Sequence, residues 1–156
     1  MRIQARWCHR LIGGVGQFVV LMAVCTSFFA WSQHSPVGAW KTVDDKTGKA
    51  RAVMRLVETN GVISGRIERG YNPAEDNRVC TACTDERKGQ LLRGMEVVRG
   101  MRAHGEQWGG GEVLDPDNGM TYSCRMRLID GGARLEVRGY LGISLFGRTQ
   151  VWERLE

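Results

Sequence analysis

The chain has 156 residues, with 22 Lys and Arg against 17 Asp and Glu. That is enough for one domain with a real core and too little for two of ordinary size. Past the first ten residues there is no block of like charge and no basic stripe interleaved with aromatics, so the composition argues against a nucleic-acid partner.

Arg2, Arg6 and Arg10, with no acid among them, precede an apolar run from Leu11 to Trp31. Ala30 and Ser32 then stand at minus three and minus one to a cut before Gln33, the small-x-small pattern of a signal peptidase. The reading is a signal helix over 1–32, removed on export to the periplasm, and a single domain over 33–156. The rival is an uncleaved N-terminal anchor facing the periplasm, since the run is near the length that spans a bilayer. With the leader gone no stable membrane span is expected. Lipidation after a cut before Cys25 is disfavoured, because Val24 stands where a small residue is needed. Removing 32 residues from 156 leaves 124, with 19 basic against 17 acidic side chains, so most of the net charge belongs to targeting.

From Val37 onward short alternating runs are broken by glycine and Asx turns, with no sustained helical spacing, which predicts an all-β domain. Strands are expected at 37–43, 50–58, 62–69, 91–102, 107–114, 120–129, 134–140 and 148–155. The separators at 44–48, 60–61, 104–105, 115–119 and 130–132 carry Gly or Asn where a tight turn needs positive φ. Consecutive strands so joined are antiparallel neighbours. About eight of them close into an up-and-down barrel whose interior is just wide enough for side chains or one small ligand. The first strand, with Gly38-Ala39-Trp40, and the last, with Trp152-Glu153-Arg154, are the two that meet to close it.

The period of two sorts the faces. Ala52, Met54 and Leu56 point inward against Arg51, Val53 and Arg55; so do Ile63, Gly65 and Ile67, and Tyr122, Cys124, Met126 and Leu128. Val97-Val98 puts apolar residues on both sides of its strand, which a β-bulge would explain. The long polar connection 70–90, carrying Cys80-Thr81-Ala82-Cys83, is expected to be a lid or rim loop. Glycines 109–111, 139, 142 and 147 permit sharp coiling or close backbone approach. The stretch 142–147 reads either as a helical turn plugging one end or as a loop with an apolar tip.

The run Gly109-Gly110-Gly111-Glu112-Val113-Leu114-Asp115-Pro116-Asp117-Asn118-Gly119-Met120-Thr121-Tyr122, the run Arg138-Gly139-Tyr140-Leu141-Gly142 through Arg148-Thr149-Gln150-Val151-Trp152-Glu153-Arg154, and the opening Gly38-Ala39-Trp40 with Thr47-Gly48-Lys49 resemble the bacterial domain-of-unknown-function family 2147. The resemblance covers essentially the whole chain after the leader. It implies an exported, lipocalin-like β-barrel and no activity. Met120 departs from it, where lysine is expected.

Each candidate group has a structural alternative. Trp40 and Arg154 are expected to stack at one barrel end as structural closure, guanidinium over indole. Gln150 and Trp152 share a face of the last strand, so if the indole points in, the amide does too; a buried amide needs a partner, either another lumen residue or a ligand. Arg138, Tyr140 and Arg148 lie around one loop and would meet at a rim to hold an anionic head group, or else form a solvated arginine face. Asp115, Asp117 and Asn118 read as turn residues before they read as calcium ligands. Of three cysteines beyond the leader, Cys80 and Cys83 are expected to pair and Cys124 to stay free in the core. A redox role for the pair lacks the helix start that lowers a thiol pKa. Zinc lacks a fourth ligand, because His34 and His104 stand in no usual spacing.

No cofactor is implied, and no serine elbow or placed histidine argues for catalysis. The function expected is therefore a periplasmic binding module for a small apolar or amphipathic molecule. The alternative is a structural or interaction protein of the envelope, its barrel filled by side chains.

Overall fold

Alternating runs of this length bury one face each, and closing the sheet on itself buries all of those faces together without leaving raw edges. A computed structural model describes residues 35–44, 47–75, 77–143, 145 and 147–156. The leader expected over 1–32 lies outside the described residues. The strands are β1 Gly38–Val43, β2 Ala50–Thr59, β3 Val62–Gly70, β4 Glu96–His104, β5 Gln107–Asp115, β6 Met120–Ile129, β7 Arg134–Tyr140 and β8 Gly147–Arg154. They form one closed barrel in sequence order, every neighbouring pair antiparallel. This is the all-β, up-and-down, eight-stranded barrel that the alternation predicts.

Two poles follow from the topology. Connections β2–β3, β4–β5 and β6–β7 are tight and lie at one pole, which we call the floor; the other four connections lie at the mouth. At the floor, Asn60 and Gly61 both take positive φ (53° and 75°) and bring Thr59 opposite Val62, the two-residue hairpin that an Asn-Gly pair favours. Trp40, Leu56, Ile63, Met101, Met126 and Leu135 are fully buried and fill the lower barrel.

The closing seam joins β1 to β8 through two residue pairs, Trp40 with Arg154 and Lys41 with Glu153, the shortest of the eight ladders. An ion pair between Lys41 and Glu153 spans it, and the Leu155 N–H donates to the Ala39 carbonyl at 2.9 Å. Arg154 caps the floor: its guanidinium carbon lies 4.2 Å from the centroid of the Trp40 ring. The same guanidinium donates to the carbonyls of Gly132 (2.7 Å), Ser35 (2.8 Å) and Val37 (3.1 Å). The Trp40 indole N–H donates to the Pro36 carbonyl at 2.8 Å.

Two expectations need correcting. β4 starts at Glu96 and not at 91, because Gly94 takes φ 84° and the Met95 N–H closes a turn onto the Leu92 carbonyl. Val53, sorted to the outer face, is buried; its cross-strand neighbours Lys41 and Arg69 flank it with their aliphatic stems. Of the two readings left open for 142–147, the loop is the one that fits: no helical turn occurs among its described residues, and Ile143 and Leu145 are exposed.

The Val97-Val98 bulge is present. From the Gly65–Val98 pair to the Arg66–Glu96 pair, β3 advances one residue and β4 two, so both valines are buried. Gly65 has no room for a side chain, because Leu56 and Val98 occupy the space a Cβ would take.

Candidate ligand cavity

Above the packed floor the barrel is open. A cavity of about 870 Å³ occupies the upper lumen and reaches the surface at the mouth. Its walls are the inward positions of the strands, among them Met54, Ile67, Val97, Val113, Val137 and Trp152. They are there because period-two alternation carries the core face of each strand upward past the point where side chains meet across the axis.

Polar groups enter at two levels. Within the wall, Trp152 and Gln150 both line the cavity, and the Trp152 indole N–H donates to Gln150 Oε1 at 3.1 Å. With its carbonyl so engaged, the Gln150 amide keeps NH2 donors at the cavity wall. Around the mouth, five cations (Lys49, Arg51, Arg78, Arg93 and Arg148) and three carboxylates (Asp44, Asp115 and Asp117) line the opening. Asp117 pairs with both Arg51 and Arg78. Burial pushes its carboxyl up, and the two guanidiniums more than offset this, holding it below the usual carboxylate range.

Tyr140 and Arg148 line the cavity near this rim. Arg138 does not join them. It lies between the cavity-lining Val137 and Gly139, and its guanidinium donates to Thr149 Oγ1 (2.7 Å) and to the Leu145 carbonyl (3.3 Å), bracing the β7–β8 loop.

One side of the rim is built by the long connection. It is a docked wall: Val79 bridges Leu91, the Cys80 N–H donates to the Gln90 carbonyl, the Gly89 N–H donates to the Cys80 carbonyl, and the Leu92 N–H donates to the Arg78 carbonyl. The disulfide Cys80–Cys83, with its Cα atoms 5.5 Å apart, staples the tip. This tip sits on the β5–β6 turn. Gly119, at φ 71°, comes so close that a Cβ there would overlap the Ala82 carbonyl, and both bridged cysteines are buried.

Beneath the loop lies Arg87, whose side chain is only 2% exposed. Its guanidinium pairs with Asp85, and also donates to the Glu96 carbonyl (3.3 Å) and Thr121 Oγ1 (3.2 Å). The hydrogen bonds from Arg87 draw the Asp85 carboxyl down to about 2. Glu86 holds the outer side of the loop to Arg99 of β4 at 2.6 Å. The sequence reading did not single out this cluster: Asp85-Glu86-Arg87 inside a polar stretch has the look of a solvated turn. The one cue is an aspartate two residues before an arginine in a loop that has a rim to hold.

The third cysteine, Cys124, is fully buried and unpaired, and burial pushes its thiol up to about 12. Among the described residues no cluster of His, Cys, Asp and Glu has the arrangement of a metal site. His104 is exposed at the floor pole, and among the described residues no His, Ser or Cys lines the cavity.

The family model described as "Uncharacterized protein conserved in bacteria (DUF2147)" matches residues 38–154. Among solved structures the chain is similar to "Protein HP1028 from the human pathogen Helicobacter pylori belongs to the lipocalin family", with a TM-score of 0.68 and 17% identity over 78% of this chain and 84% of that one. At that identity the likeness is one of fold. No curated protein matches the chain.

Proposed function

The chain belongs to the DUF2147 family of bacterial proteins, and from that premise and the open lumen we propose that it is a periplasmic module that binds one small apolar or amphipathic molecule inside the barrel. The observation that carries the reading is the cavity of about 870 Å³ with apolar walls inside the barrel and a charged rim at its mouth. Ligand sites of this kind are concave, mostly apolar and oriented by a small number of polar contacts. In this reading Trp152 and the aliphatic walls take the apolar body of the ligand. The Gln150 amide gives a hydrogen bond within the lumen, and Tyr140 and Arg148 meet the polar end at the mouth. A side-chain-filled barrel describes the lower half of the molecule but leaves the upper lumen without a use.

Export is supported by the arginine-flanked apolar leader and by the Cys80–Cys83 disulfide, a bond kept in oxidising compartments. The domain then begins near Gln33. Cell fractionation with N-terminal sequencing tests this part; full-length chain in the cytoplasm refutes it.

Native mass spectrometry of protein purified from its own host tests the binding. A bound species of defined mass that is lost on denaturation is the expected result, along with saturable quenching of tryptophan fluorescence by an apolar probe. Absence of both refutes the binding reading.

A further inference from the structure

The molecule's exposed apolar surface is distributed unevenly between the poles. Of ten large hydrophobic side chains exposed among the described residues, seven lie at the mouth, including Tyr71, Leu91, Leu141, Ile143 and Leu145. The β7–β8 loop projects furthest in this sense, with Ile143 61% and Leu145 75% exposed. Its backbone is braced from the wall by Arg138 through the Leu145 carbonyl. Basic groups stand at the same pole as the apolar tips: five cations against three carboxylates line the opening, and Arg87 and Lys88 of the long connection stand against Glu75, Asp85 and Glu86, which leaves a small positive excess at the mouth.

We propose that the mouth is a membrane-docking surface. Leu141, Ile143 and Leu145 insert into the head-group region of a bilayer, while the rim arginines face anionic lipid phosphates. Apolar tips spread over several loops and interleaved with cations suit a deformable, negatively charged interface, where apolar burial and attraction to anionic lipid act together. They suit a second protein less well, since an interface core is contiguous and poor in charge. Docked this way, the lumen opens directly onto the bilayer. The proposal rests on surface residues and stands whether or not the lumen is occupied.

The test uses the full chain with vesicles of phosphatidylcholine and phosphatidylglycerol containing a phosphatidylcholine that bears a photoreactive acyl chain. Labelled peptides are mapped by mass spectrometry. Mapping keeps the mouth distinct from the apolar leader, because Ser35 lies at the opposite pole, against Arg154. The expected result is labelling of the peptide that holds Leu141, Ile143 and Leu145, and none at the Asn60-Gly61 turn. That labelling should fall at least tenfold in the double variant Ile143→Asp with Leu145→Asp, and severalfold on vesicles of phosphatidylcholine alone. Both substituted side chains are exposed, so an unchanged near-ultraviolet circular dichroism spectrum checks that the variant is folded. Labelling confined to residues 1–32, labelling alike at both poles, or labelling indifferent to the double variant overturns the proposal. A concentration-dependent rise in mass in sedimentation velocity without vesicles, abolished by the double variant, overturns it too and assigns the surface to self-association.

Discussion

Replacing Arg154 by alanine should open the floor of the barrel. The side chain contributes a cation–π contact over Trp40 at 4.2 Å, worth about 0.5 to 2 kcal/mol. It also gives charge-assisted hydrogen bonds to the carbonyls of Gly132, Ser35 and Val37. Because Arg154 is only partly buried, water replaces some of what is lost, and about 0.5 kcal/mol per hydrogen bond is a suitable value at the low end of the usual range. Together these give a loss of about 3 kcal/mol. For a domain of this size that lowers Tm by about 10 °C, readable by calorimetry or by the denaturant midpoint. Arg154→Lys keeps the charge but not the planar fork that reaches three carbonyls, and should recover only about a third of the loss. A change below about 1 kcal/mol for the alanine variant, or full recovery by lysine, would refute the account of Arg154 as the floor's fastening.

Gly119→Ala should undock the cystine loop and cost about 2 kcal/mol or more, because the new Cβ meets the Ala82 carbonyl at a residue already at φ 71°; Gly61→Ala, at φ 75° with open space around it, should cost only about 1 kcal/mol. Limited proteolysis of the 71–95 connection distinguishes the two. Acid should release the same loop: the Asp85 carboxyl is drawn down to about 2 in the fold, so its stabilising effect is full above the free carboxylate value of about 3.9 and is lost as pH falls from about 4 towards 2. Asp85→Asn should flatten that part of the stability profile, and an unaltered acid slope counts against the Arg87 clasp. Because Cys80–Cys83 closes only a short loop, reducing it should cost about 2 kcal/mol, less than for a fifteen-residue loop. Cys124, its thiol pushed up to about 12, should resist alkylation in the native protein, as peptide mapping would show.

The parts of this fold that were legible in the sequence are those where a residue type answers a local backbone demand. Asn60-Gly61 marks a hairpin because both positions take positive φ. Tyr122, Cys124, Met126 and Leu128 mark one face because the strand period is exactly two residues on a curved wall, and Val97-Val98 marks a bulge because two adjacent apolar residues break that period. Parity alone would also have set Arg138 apart, since it falls between Val137 and Gly139, which line the cavity. What was hidden depends on contacts distant in sequence. Arg87 is buried only because the loop folds down onto Thr121 and Glu96, and Val53 only because Lys41 and Arg69 arrive from the neighbouring strands. In the cavity, the pairing of Gln150 with Trp152 follows from their spacing, whereas the height at which the lumen empties depends on side-chain volumes meeting across the axis, which no single strand records.

The two-pair seam between β1 and β8 leaves one side of the upper wall without a ladder. Above Lys41 and Glu153 neither strand has the other as a ladder partner, so the wall there behaves like a cuff fastened only at its hem. Its girth near the mouth can widen without breaking the β7–β8 ladder, which holds β8 through seven residue pairs from Arg134–Glu153 to Tyr140–Gly147. Backbone amides of β8 that point towards β1 should therefore exchange with solvent faster than those that point towards β7. On the binding reading proposed above, a container of this build would select its guests by thickness more loosely than a sealed cup does, and would release them by loosening along one side.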